Sequence, residues 1–69
     1  MPIVSIRMAK GRGIDLKRKL AAEVTRAVAQ SLELPPELVT IQIEEFDREN
    51  WATGGELHID KFGPGCGKP

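Results

Sequence analysis

Near the amino end, apolar and polar side chains alternate. From Ile3 to Ala9, Val4, Ile6 and Met8 share one side while Ile3, Ser5 and Arg7 share the other, which is the two-residue period of a half-buried strand. Gly11 and Gly13 flank Arg12 just beyond it, so the strand is expected to end in a short loop that presents one cation. The period then changes. Leu16, Leu20, Val24, Ala27, Val28 and Leu32 recur at intervals of three and four and leave Arg18, Lys19, Glu23, Arg26 and Gln30 for the opposite face, the pattern of an amphipathic helix. Gly13 is its candidate N-cap, and Asp15 puts a carboxylate in the first turn, where the helix dipole favours one. Pro35-Pro36 stops the helix, because proline restricts the residue before it and donates no backbone hydrogen bond. Val39 to Phe46 restores the alternation and predicts a second strand, with Val39, Ile41 and Ile43 against Thr40, Gln42 and Glu44.

Strand, helix, strand with short connections predicts a right-handed crossover and a parallel pair of strands. One helix covers one face of such a sheet. The other face, carrying Ile3, Ser5, Thr40 and Gln42, needs a different cover, and a second copy of the chain is the economical one. Asp47 to Gly55 reads as a loop that contains Trp51 and a Gly54-Gly55 turn, after which Glu56-Leu57-His58-Ile59 forms a short strand or hairpin arm. The tail from Phe62 to Pro69 holds three glycines and two prolines and is expected to be irregular or extended, lying across a neighbour. The predicted fold class is α+β: a single β-α-β unit with parallel strands and a short C-terminal hairpin, in one domain over residues 1–69.

Size sharpens the expectation of partners. A chain of 69 residues is at the length where a lone hydrophobic core rarely suffices and disulfides, a metal or oligomerisation make up the difference. One cysteine cannot form an internal bridge, and Cys66 with His58 is too small a ligand set for structural zinc, so self-association is what remains. Ten basic and ten acidic residues cancel, which gives no field to steer nucleic acid or an anionic membrane toward the protein. No stretch approaches the roughly 20 apolar residues of a membrane span, and the first residues show no basic region followed by an apolar run. The expected compartment is the cytoplasm, and the lone thiol agrees with a reducing one.

Two residues offer chemistry. Proline at position 2 is, in the plainer reading, only a small residue after the initiator methionine. In the chemical reading, removal of Met1 exposes a secondary amine, a stronger base than any other neutral main-chain group, whereas with Met1 in place the same nitrogen is an amide without basicity. To act near neutral pH, its protonated form has to be destabilised by apolar surroundings or by a nearby cation. Arg12 is either a solvated loop arginine or a carboxylate clamp, since guanidinium presents a planar fork of donors that matches carboxylate geometry. One strand length separates it from Pro2, so a site shared between neighbouring subunits is the arrangement that brings the two together.

At this point the sequence resembles a known family. Met-Pro-Ile-Val-Ser-Ile at the start, Lys10-Gly11-Arg12 after the first strand, Lys17-Arg18-Lys19-Leu20 leading into Glu23-Val24-Thr25-Arg26-Ala27-Val28, then Ile41-Gln42-Ile43-Glu44-Glu45 and Gly54-Gly55-Glu56-Leu57 together are similar to the 4-oxalocrotonate tautomerase family over about the first 60 residues. The resemblance implies a hexamer assembled as a trimer of dimers, a cofactor-free proton transfer and a small carboxylate substrate. Position by position, it implies that Pro2 is the catalytic base, that Arg12 holds the substrate's distal carboxylate, and that Trp51, where the family usually has phenylalanine, is an apolar wall that keeps the amine neutral. Well-studied members carry a second arginine where this chain has Thr40, and a hydroxyl cannot replace a cation as an electrophile. Arg7, Arg48 and His58 are possible recruits at non-matching positions. A monocarboxylate such as phenylenolpyruvate is therefore expected to serve at least as well as 2-hydroxymuconate.

His58 reads as a structural or solvent-facing histidine and Cys66 as unactivated, so neither is given a role. Lys17-Arg18-Lys19 reads as a solvated helix face and Glu44-Glu45 as an exposed strand end. The expected activity is enol or dienol to keto proton transfer in 2-oxo acids. Its alternatives are hydration or dehalogenation of unsaturated acids, and a non-catalytic place in a mixed hexamer.

Overall fold

The computed structural model describes residues 1–63. Strand β1 spans Ile3–Ala9, and its alternation is the expected one, with Val4, Ile6 and Met8 half-buried and Ile3, Ser5 and Arg7 exposed. Helix α1 follows over Ile14–Leu32 from an extended Gly13 cap. Because the N-cap is a glycine, no side chain closes its first turn, and the Lys17 N–H bonding to the Gly13 carbonyl at 3.2 Å begins the helical ladder. At the other end Glu33 takes the left-handed conformation, φ 57°. Its N–H bonds to the Gln30 carbonyl and the Leu34 N–H to that of Ala29, the pair of bonds with which helices commonly finish when glycine occupies the left-handed position.

Strand β2 runs over Thr40–Phe46, one residue later than the alternation predicts. The reason lies in Pro36–Leu38, which form a 3-10 turn. Val39 closes that turn by donating its N–H to the Pro36 carbonyl at 3.1 Å and so belongs to the turn. The two strands are parallel, in register from Ile3 opposite Thr40 to Ala9 opposite Phe46. The Thr40 N–H extends the ladder to the Pro2 carbonyl, 3.1 Å, and the Lys10 N–H extends it to that of Phe46, 2.9 Å.

Beyond β2 a 3-10 turn at Arg48–Asn50 leads into a small hairpin, β3 Ala52–Thr53 and β4 Glu56–Leu57. Gly54 and Gly55 have φ of 63° and 85°, as a two-residue hairpin turn with both central residues left-handed requires. The predicted arm through His58 and Ile59 stops at Leu57, because His58–Phe62 form a short helix, α2, with Asp60 in its first turn and Gly63 as its cap. The expectation of an irregular tail is thus replaced at Phe62, and it lies outside the described residues from position 64 onward.

Between the inner face of the sheet and α1 lies a thin apolar layer of Val4, Ile6, Met8, Ile41 and Ile43 against Leu20, Ala21, Val24 and Val28, all half-buried. Among the described residues only Ala9 and Ala29 are buried outright. The expected apolar stripe on α1 needs correction here. Leu16, Ala27 and Leu32 are exposed, while Lys17, Ala21, Thr25 and Ala29 turn inward. A sheet of two strands is narrower than the helix's apolar sector, so one flank of that sector is left over the free edge of β1. There Ile6, Met8, Leu16 and Leu20 line an open groove of about 430 Å³. On the other side of the sheet Ile3 is 63% exposed, and Ser5, Thr40 and Gln42 are exposed with it, so the described residues leave the starting half of that face without a cover.

The charged runs also differ from expectation. Lys17 Nζ donates to Glu45 Oε1 at 2.7 Å, with about a quarter of each side chain exposed, and this pair ties α1 to β2. Two halves of supposedly solvated runs therefore meet. The local period misses the pairing because the two residues are 28 positions apart. Arg18 and Arg26 follow the expected pattern, each pairing with the carboxylate three residues earlier, Asp15 and Glu23.

Candidate active site

Pro2 is half-buried at the entry to β1. Its carbonyl accepts from Thr40, so the threonine is its immediate neighbour across the sheet. That hydroxyl-bearing residue is exposed and brings no charge. The other two residues that the resemblance assigns to the site lie at the far end of the same strand, about 23 Å away at roughly 3.3 Å per residue over the seven residues of β1.

There Gly11, with φ 132°, turns the chain in a way that a side chain at that position would oppose. Arg12 then folds back, its Nη1 donating to the Ala9 carbonyl at 3.4 Å, and it lines the groove between β1 and α1. Trp51 lies elsewhere. It helps to line a second hollow, of about 370 Å³, with Arg7, Phe46, Asn50 and Ala52. Ile6 and Met8 line the first hollow and Arg7 the second, and neighbouring side chains of a strand point to opposite faces. The two hollows therefore open on opposite sides of the sheet. A single chain brings none of Pro2, Arg12 and Trp51 together.

Trp51 is held by other rings. His58 stacks on it with centroids 4.3 Å apart and planes 9° from parallel, Phe46 approaches at 6.5 Å with a 60° tilt, and Phe62 flanks the imidazole at 4.6 Å. The His58 N–H also bonds to the Trp51 carbonyl, 2.6 Å. His58 is expected to be structural or solvent-facing, and in the fold it is half-buried against Trp51. A signal was available, since a two-residue turn at Gly54-Gly55 sets Thr53 opposite Glu56 and Ala52 opposite Leu57, which makes Trp51 and His58 the next facing pair. Arg7, which shares the hollow with Trp51, pairs with Glu44 at 3.3 Å while both side chains remain largely exposed. Arg48 is half-buried in the 3-10 turn before Trp51. Cys66 lies outside the described residues, and no helix among those residues is long and apolar enough to cross a membrane.

The arrangement offers Pro2 at one end of a sheet, and arginines and rings at the other. Comparison with known proteins decides what family builds itself this way. The family model described as tautomerase enzyme matches residues 2–61, beginning at Pro2 itself. The chain belongs to the tautomerase family. A probable tautomerase of Bacillus cereus is 38% identical over 61 residues, which cover 88% of this chain and all of that one. Among solved structures, a heterohexamer 4-oxalocrotonate tautomerase from Chloroflexus aurantiacus superposes with a TM-score of 0.83 at 28% identity, covering 87% of this chain and 97% of that one. A structure described for trans-3-chloroacrylic acid dehalogenase activity is similar too, with a TM-score of 0.74 at 32% identity over 81% of this chain and 97% of its own. The β-α-β unit with its C-terminal hairpin is thus a tautomerase fold, as the resemblance in sequence implies.

Proposed function

We propose that this tautomerase-family chain is an isomerase that moves a proton within the enol or dienol of a 2-oxo acid, with Pro2 as general base once Met1 has been removed. Pro2 takes the hydroxyl proton. The O–H electrons become the carbonyl π bond, the carbon–carbon π pair shifts to the terminal carbon, and the proton returns there from the prolinium nitrogen. One amine moves one proton, so the step uses no metal or organic cofactor. Arg12 holds a carboxylate of the substrate and draws electron density toward it, and Trp51 is the apolar wall that disfavours the charged amine. Because Pro2 and Arg12 stand at opposite ends of one strand, the site is shared between copies of the chain. The uncovered sheet face and the groove beside α1 are the surfaces where copies meet, in a homo-oligomer of the hexameric, trimer-of-dimers kind. The compartment is the cytoplasm, with neither nucleic acid nor membrane as a partner.

The observation that carries this reading is the family match that starts at Pro2. Replacing Pro2 with alanine is expected to lower ketonisation of phenylenolpyruvate by about 10²- to 10⁴-fold, the usual share of a general base, and activity at the wild-type level would sink the assignment. Intact mass reports whether Met1 is gone. Thr40 beside Pro2 supplies no cation, so a monocarboxylate is expected to react at least as well as 2-hydroxymuconate.

The likeness to the dehalogenase supports a second reading, in which protonated Pro2 acts as an acid while water adds to an unsaturated acid. The pH profile separates them: the base mechanism gains rate as Pro2 deprotonates, and the acid mechanism loses it. The likeness to a heterohexamer supports a place in a mixed assembly, for which a second subunit has to copurify.

A further inference from the structure

The hollow that Trp51 lines combines two aromatic side chains with a cation, and that cation is Arg7. The rings of Phe46 and Trp51 are tilted by 60° to each other with centroids 6.5 Å apart, and Asn50 and Ala52 complete the lining. Its volume of about 370 Å³ suits a molecule the size of a small aryl acid. Among the described residues Arg7 pairs with Glu44 alone, at 3.3 Å, and the two side chains are 75% and 63% exposed, so water screens the pair and little holds it in place. Arg12 lines the other hollow and donates to the Ala9 carbonyl. Thr40, exposed on the same side of the sheet as Arg7, has no charge to offer.

From this we infer that Arg7 is a carboxylate-binding, specificity-determining residue for aryl or alkenyl monocarboxylates, with their apolar part on Phe46 and Trp51 and their carboxylate on the Arg7 guanidinium. A carboxylate with an unsaturated or aromatic body matches both halves of the hollow, since guanidinium takes a carboxylate through two parallel hydrogen bonds and a flat apolar group packs on the rings. The inference deepens the proposed function by naming a second carboxylate-binding arginine, on the opposite side of the sheet from Arg12. It rests on that reading only for the statement that the bound acid reacts.

Trp51 is the chain's one tryptophan, so its fluorescence reports occupancy of this hollow whether or not anything reacts there. The test titrates the intact, assembled protein with 3-phenylpropanoate and, separately, with the matching amide. Arg7→Gln is expected to weaken carboxylate binding by about tenfold or more, the lower end of what a charged hydrogen bond contributes, and to leave the amide unchanged. Arg7→Lys recovers part of the loss. Glu44→Gln, which frees Arg7 from its carboxylate neighbour, tightens the acid and keeps the fold testable if the Arg7 variants assemble poorly. In turnover of phenylenolpyruvate the same Arg7→Gln change raises KM more than it lowers kcat. Equal binding of acid and amide by the wild type, or acid binding in Arg7→Gln that equals the wild type, overturns the inference. Arg7-dependent binding in a protein that ketonises no enol supports the inference and overturns the proposed activity, so the two failures are told apart.

Discussion

Where the strands of the sheet begin, Pro2 and Thr40 are joined by one backbone hydrogen bond and present a nitrogen, a hydroxyl and no charge. Where the strands finish, Arg7, Arg12, Phe46, Trp51 and His58 gather two guanidinium groups and a stack of rings. The first end has the nitrogen proposed as the base, and Thr40 beside it brings no charge. The second has arginines that suit a carboxylate, and its imidazole, His58, is packed against the rings of Trp51 and Phe62. The parallel register fixes this separation, because it lines up Ile3 with Thr40 and Ala9 with Phe46 and leaves about 23 Å of extended chain from Pro2 to Ala9 at roughly 3.3 Å per residue, with Arg7 two residues nearer. In the proposed enzyme, the site forms where the first end of one copy meets the second end of another.

The largest effect expected from breaking that comparison is an all-or-none one. Pro2→Ala and Arg12→Ala are each expected to be nearly inactive, but subunits exchanged between them restore some sites in which both residues are native. With equal and random mixing in a closed assembly, about one site in four carries both, so about a quarter of wild-type activity returns. A mixture as inactive as its parents would contradict a site shared between copies.

Next in size is the seam that joins the copies. Leu16 is 43% exposed and lines the groove beside α1, so Leu16→Glu disturbs the packing within the chain little while placing a charge on the proposed seam between copies. Association is expected to weaken by about tenfold or more, as for other central interface residues, and activity falls with it. Native mass spectrometry across a dilution series reads the assembly, and complexes unchanged in size and dilution behaviour would move the seam elsewhere.

The sequence made the two ends legible to different degrees. Both strands and the long helix follow from local period, since a side chain's alternation depends on its neighbours alone, and Pro35-Pro36 fixes where the helix must stop. Local period could not say which flank of α1 the sheet would cover. Leu16 and Leu32 are as apolar as Leu20, and only the width of a two-stranded sheet decides that Leu20 turns inward while the other two face out. For the same reason Lys17 and Glu45 read as solvated until the fold set them 2.7 Å apart. At the site, Pro2 and Arg12 were legible as chemistry, and the resemblance added Trp51. The pairing of Trp51 with His58 was latent in the two-residue glycine turn. That Arg7 and Trp51 share a hollow was not latent in either segment, because it depends on how the loop after β2 folds over the sheet.

The smallest effect tests the frame that both ends depend on. Glu33 sits left-handed at the close of α1, a conformation that costs a side chain about 1–2 kcal/mol and glycine little. Glu33→Gly is expected to raise stability by about 0.5–1 kcal/mol, because glycine's greater freedom in the unfolded chain offsets part of the relief. Chemical denaturation followed by Trp51 fluorescence measures it, with activity at both ends unchanged. A loss of stability would show that the Glu33 side chain contributes more than its backbone costs.

The thin layer between sheet and helix, with Ala9 and Ala29 its only outright buried residues among those described, has a consequence of another kind. In the proposed assembly, a protomer with so little interior would draw stability from surfaces that close when copies meet, so folding and assembly would form one equilibrium governed by mass action. The chain's own concentration would then work as a ligand does, each newly made copy helping to keep the others folded.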